Sequence, residues 1–113
     1  MPQINFIVKA PPYMVEEKIK ALGRNLRTAR IRRNMTLAEA AERAGTGVRA
    51  VRDAEHGKIT TSIAVYFVLL WLYDLLPEPF LIADPDSDTE GKRLAGLREP
   101  KRASGGKSID NDF

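Results

Sequence analysis

The sequence predicts an all-α fold: a bundle of about five short helices, preceded by a short strand and followed by a flexible tail. Three observations carry this prediction. Apolar residues recur at steps of three and four rather than two over most of residues 13–83. Helix-starting and helix-stopping residues punctuate that stretch at short intervals. At 113 residues and 43% hydrophobic, the chain has room for one core. The organisation expected is an N-terminal arm or strand over 1–12, a helical domain over 13–83 and a C-terminal segment over 84–113.

In the arm, Ile4, Phe6 and Val8 alternate with Asn5, Ile7 and Lys9 up to Pro11-Pro12, a strand pattern. A single strand beside a helical domain either lies extended or pairs with a second copy of itself. Residues 14–33 read as a helix, with Ile19, Leu22, Leu26 and Ala29 in one stripe and Asn34 as its stop. Thr36 followed by Glu39 is a capping box, and Leu37, Ala40, Ala41 and Ala44 form the buried face of the helix it opens. Gly45 ends that helix. A short helix follows from Val48 to Glu55, capped by Thr46 or Gly47 and closed by Gly57. Val51 and Ala54 should face inward there, and Arg49, Arg52 and Asp53 outward.

Ser62 caps a fourth helix, Ile63 to about Leu76, which is apolar on nearly every side. Such a helix is either central to the core or covered partly by a partner. At helical spacing with Val68, Leu72 and Leu75, Trp71 reads as core. Pro77 and Pro79 break the pattern, 80–85 is a short apolar patch, and 88–98 is a small helix opened by Asp88 or Thr89. From Pro100 the chain is polar and glycine-rich, too poor in apolar residues to hold itself.

The charge is uneven. Residues 1–83 carry twelve Lys/Arg against eight Asp/Glu; residues 84–113 carry six against seven. The excess crowds into Lys18, Lys20, Arg24, Arg27, Arg30, Arg32 and Arg33, a pattern that suits a polyanion or, more plainly, a solvated helix face. With no cysteine, thiolate metal sites, disulfides and thiol catalysis are excluded. His56 is the only histidine, so no metal site is expected. Glu16 and Glu17 diverge on a helix and cannot share acid–base work, and Ser104 and Ser108 have no base nearby in sequence. No catalytic set, phosphate loop or cofactor motif stands out, so neither an enzyme nor a small-molecule substrate is expected. The longest apolar run, Ile63 to Tyr73, is far shorter than the ~20 residues that span a bilayer. The first residues lack the pattern of a secretory signal. A cytoplasmic protein without a membrane partner is expected.

The informative unit is Thr36–Gly57: a capped helix, a tight Gly45-Thr46-Gly47 turn and a second short helix, the order of a helix-turn-helix. In such a unit the N-terminal residues of the second helix meet base edges in the major groove. Arg49 and Arg52, three apart, point one way and can fork onto guanine, and Val48 can touch a thymine methyl. The plainer account pairs Arg49 with Asp53. Phosphate contacts are expected from Arg24, Arg27, Thr36 and Lys58, and from Gly47 at a helix N-terminus whose free N–H groups suit an anion.

Leu22-Gly23 with Arg27 and Arg30, then Met35 to Gly45, then Val51 and Glu55-His56-Gly57, resemble the phage-repressor-type (XRE, λ-repressor-like) helix-turn-helix domain over roughly 19–76. Leu37 stands where that family usually has Gln, Gly47 where it has Ser, and Phe67 and Val68 where it often has small or polar residues. Further short motifs resemble HipB-type antitoxins: Ser62-Ile63, Leu70-Trp71, Asp74-Leu75-Leu76, Ala83-Asp84-Pro85, Glu90-Gly91-Lys92, Pro100-Lys101-Arg102 and the acidic end Asp110 to Phe113. That resemblance implies a homodimer that binds double-stranded operator DNA, represses its own promoter and restrains a HipA-like Ser/Thr kinase toxin. The alternatives are a stand-alone XRE repressor, the antitoxin of another toxin class such as a ribonuclease, and an interaction module with no operator. Dimer or partner surface is expected at Phe67, Val68, Leu75, Leu76 and Phe80, and in the C-terminal segment at Leu94, Leu97, Ile109 and Phe113.

Overall fold

The computed structural model describes residues 9–98. The helices are α1 (Tyr13–Arg32), α2 (Leu37–Ala44), α3 (Val48–Glu55), α4 (Ile63–Leu72) and α5 (Thr89–Arg98), with a 3₁₀ turn at Pro85–Ser87. No strand occurs among the described residues. The expected strand at Ile4, Phe6 and Val8 lies outside them, as do Ile109 and Phe113. The chain divides into two compact units at Leu76/Pro77.

In the first unit the helices start and stop where side-chain chemistry directs. Thr36 Oγ1 accepts from Glu39 N at 3.0 Å while Glu39 Oε1 accepts from Thr36 N at 2.8 Å, the full capping box. Ser62 Oγ accepts from Ala64 N at the start of α4. All four helices end on a residue with left-handed backbone: Asn34, Gly45, Gly57 and Asp74. In each case that N–H and the next one turn back onto last-turn carbonyls, the Schellman arrangement. Asp74 is the one the sequence pattern missed. With φ at +61° it stops α4 at Leu72, four residues short of expectation.

The core comprises Leu26, Ala29, Ala40, Ala41, Val51, Ala54, Tyr66, Leu69 and Tyr73. Helix α3 packs against α1, α2 and α4, so the shortest helices are held from several sides. Along α4, Tyr66, Leu69 and Tyr73 form the buried stripe. Phe67 and Val68 are half-buried against the core. Trp71, expected in the core, is 61% exposed: it stands about 200° round the helix from Leu69. Tyr73 takes the anchoring place instead. Its backbone carbonyl accepts from Arg33 Nη2 at 2.9 Å, and the guanidinium lies over its ring at 5.6 Å from the centroid.

In the second unit Asp88 Oδ1 accepts from Gly91 N at 2.9 Å and so caps α5. Helix α5 has no buried residue; Leu94 and Leu97 are exposed, as are Phe80, Leu81 and Ile82.

Candidate nucleic-acid interface

Helix α3 divides sharply. Val51 and Ala54 are fully buried, while Val48, Arg49 and Arg52 are exposed. At about 100° per residue the three exposed side chains fall within roughly one quadrant, so they form a single face. Asp53 does not pair with Arg49: its carboxylate lies 3.7 Å from Lys58 Nζ. Among the described residues neither Arg49 nor Arg52 has an ion-pair partner. Gly47 precedes α3 in extended backbone, and among the described residues no side chain caps the first N–H groups of the helix. The site therefore offers two forked cations, a small apolar side chain and a helix N-terminus, a set suited to base edges and phosphate.

Two contacts set how α1 lies against α3. A Cβ on Gly23 would sit 2.5 Å from Ala54 O, 2.7 Å from Glu55 O and 2.8 Å from Gly57 N, and one on Gly57 would sit 2.6 Å from Lys20 Cα. Only glycines permit this backbone approach, and Gly57 also needs its φ of +66°. Deeper in, Arg30 grips Glu55, the last residue of α3, through both carboxylate oxygens (Nε–Oε2 2.6 Å, Nη2–Oε1 3.0 Å), while Nη1 donates to Met35 O at 2.9 Å. The bidentate bond to Glu55 raises the Arg30 pKa further, burial opposing it. One side chain thus ties α1, the turn before α2 and the end of α3 together.

This geometry sorts the basic residues of α1. Arg30 is buried and withdrawn from any surface role. With Gly23 marking the side that meets α3, Lys20, Arg24 and Arg27 lie within about 100° of it, whereas Lys18, Thr28 and Arg32 lie about 140–180° away. Arg24 and Arg27 are thus on the α3 side of α1, and Lys20 joins them. Lys20 also pairs with Glu16 at 3.3 Å. Thr36 is exposed, and its oxygen serves as the cap acceptor while its hydroxyl proton remains available to a phosphate. Lys58 is exposed just beyond α3.

Sequence reasoning missed the Arg30–Glu55 pair and the Gly23–Gly57 approach. A signal for the first existed: Arg30 falls four residues after Leu26, in phase with the apolar stripe. The second had no local signal, since both glycines read as helix interior or helix stop.

Among the described residues no group of His, Cys, Asp and Glu could hold a metal ion, and no helix is long and apolar enough to cross a membrane. A family model described as a helix-turn-helix domain matches residues 21–79, from the middle of α1 past the end of α4. No curated protein and no solved structure matches the chain.

Proposed function

The chain belongs to the helix-turn-helix domain family, and from that premise we propose that it is a sequence-specific DNA-binding regulator whose α3 enters the major groove of its operator. One observation supports this above all: α3 buries Val51 and Ala54 and turns Arg49, Arg52 and Val48 outward on one face. Arg49 and Arg52 read guanines, Val48 touches a thymine methyl, and Arg24, Arg27, Thr36, Gly47 and Lys58 hold phosphates. A single domain of this size reads few bases, so the working form is a homodimer with its two α3 helices about 34 Å apart. Phe67, Val68, Leu76 and Phe80 supply apolar surface for the dimer, and Leu75 supplies it for a further partner. Repression follows from occupying the promoter.

The finer reading is that the operator is the chain's own and that its second partner is a HipA-like kinase toxin, contacted through the C-terminal segment with Leu94, Leu97, Ile109 and Phe113. It is supported by the short motifs between Ser62 and Phe113. The chain itself is expected to turn over no substrate.

The test is an electrophoretic mobility shift on the DNA upstream of the gene. Arg49→Ala with Arg52→Ala should abolish the specific shift, each good bidentate contact being worth about 1–3 kcal/mol of discrimination. Thermal stability should be unchanged, since both side chains are exposed. A wild-type-like shift from the double variant overturns the assignment of α3 as the reading helix. Co-purification with the product of a neighbouring kinase-like gene tests the partner separately.

A further inference from the structure

We propose that the flank of α1 turned away from α3 is a docking site for an acidic protein segment that carries an apolar side chain. A recess of about 370 Å³ lies there, lined by Asn25, Thr28, Ala29, Arg32, Arg33 and Leu75. Two of the six lining residues are arginines and none is a carboxylate. Arg33 is held in place by its bonds to Ala29 O at 3.0 Å and Tyr73 O at 2.9 Å, both carbonyls, so its positive charge is positioned but not neutralised by an acid. Arg32 is exposed and has no ion-pair partner among the described residues. Lys18 extends the same flank about four turns back along α1, and it too is exposed.

The recess also has an apolar wall. Leu75 is 48% exposed, yet its backbone is fixed by the 2.7 Å bond from its N–H to Leu70 O, beside the left-handed Asp74. A fixed cation, a free cation, two small polar side chains and an exposed leucine match a carboxylate with an apolar neighbour. Because the Arg33 side chain and the Leu75 backbone are already held, less entropy is lost on docking.

A nucleic-acid backbone fits less well. Arg32 lies about 180° round α1 from Gly23, whose α-carbon faces the α3 backbone. Arg32 therefore points away from α3, where a duplex would be seated. Phosphates also make no use of a leucine wall. The recess thus lies mostly on the far side of α1 from Lys20, Arg24 and Arg27: Asn25, Thr28 and Arg32 stand about 140–180° from Gly23, and Arg33 reaches in from the end of the helix, where it packs on Tyr73. This site goes beyond the DNA reading and can be occupied without it.

The experiment titrates the isotope-labelled full chain, without DNA, with a synthetic peptide alternating Asp and Leu, and follows amide shifts. The expected result is saturable binding with shifts at Asn25, Thr28, Arg32 and Leu75, weakened by added salt. Its Asn–Leu counterpart should not bind. Arg32→Glu should weaken binding about tenfold or more, the equivalent of one lost charge-assisted contact. The milder Arg32→Gln and Leu75→Ser should each weaken it as well. Arg27→Glu should leave peptide binding unchanged while weakening the duplex complex. Operator duplex and peptide should bind together. Shifts centred on Val48–Arg52, displacement of peptide by duplex, equal binding of the Asn–Leu peptide, or no binding would each overturn the proposal. So would a change of oligomeric state in Arg32→Glu without peptide binding, which would give this flank to a second copy of the chain.

Discussion

Replacing Gly23 by alanine sets local preference against tertiary packing. In an isolated helix the exchange is favourable by about 1 kcal/mol, because glycine loses more backbone entropy than alanine. In this structure the added methyl would meet three backbone atoms of α3 and the following turn, at 2.5, 2.7 and 2.8 Å. None belongs to a flexible side-chain tip, so the two elements must separate by several tenths of an ångström. Overpacking of this kind costs about 1–3 kcal/mol, and backbone on both sides puts this case at the top of that range. The separation would also lengthen the Arg30–Glu55 bonds that cross the same interface. The net expectation is a loss of about 2 kcal/mol, or a fall in Tm of roughly 10 °C for a domain this small. Urea titration followed by circular dichroism should show a lower midpoint at unchanged slope, the mark of altered stability rather than altered denatured state. Operator affinity should fall as well, since α3 moves relative to Arg24 and Arg27. A variant as stable as the parent, or more so, would refute the claim that α1 and α3 meet backbone to backbone at this point.

Two further outcomes follow from buried polar groups. Glu55→Gln leaves the Arg30 guanidinium buried without its counter-charge and should cost about 3 kcal/mol, whereas Arg30→Met with Glu55→Leu should restore most of the loss; equal stability of all three chains in urea would refute the role given to the pair. The Tyr73 hydroxyl is buried with no hydrogen-bond partner among the described residues, so Tyr73→Phe should be neutral or stabilising at pH 7. Burial raises the Tyr73 pKa, with the Glu55 carboxylate adding to the effect and Arg30 and Arg33 opposing it. The folded phenol thus stays neutral where the unfolded one ionises. The stability it contributes is complete below about pH 10 and is lost as pH rises past the unfolded value. Tyr73→Phe should therefore move the alkaline unfolding midpoint upward, with Tyr66, also raised by burial, keeping some sensitivity; an unmoved midpoint counts against it.

Much of the first unit was legible because its signals are local. Thr36 and Glu39 identify a capping box within four residues, and Gly45 and Gly57 mark stops that a side chain would oppose. The stripe Leu22, Leu26, Ala29 finds the buried face of α1 by period alone. Asp74 was not legible in the same way, since aspartate enters left-handed backbone only where its surroundings impose it. Trp71 misled for a related reason. On a helix apolar all round, periodicity names no inner face, and only the positions of α1, α2 and α3 decide that Tyr66, Leu69 and Tyr73 go in.

The exposed face of α3 was visible in the sequence, for nine residues between two glycines leave only one phase that buries Val51 and Ala54. What the sequence could not divide was the basic cluster of α1. Seven cations within sixteen residues look alike in one dimension. Their surroundings separate only when Gly23 lies against the α3 backbone, placing Arg24 and Arg27 on the side of α1 that meets α3, Arg30 buried against Glu55 and Arg32 on the opposite side. Periodicity and capping act over a turn or two of chain and are written in order along it. The direction in which a charge finally faces depends on which helix lies next door, and that is settled by packing between residues some thirty positions apart.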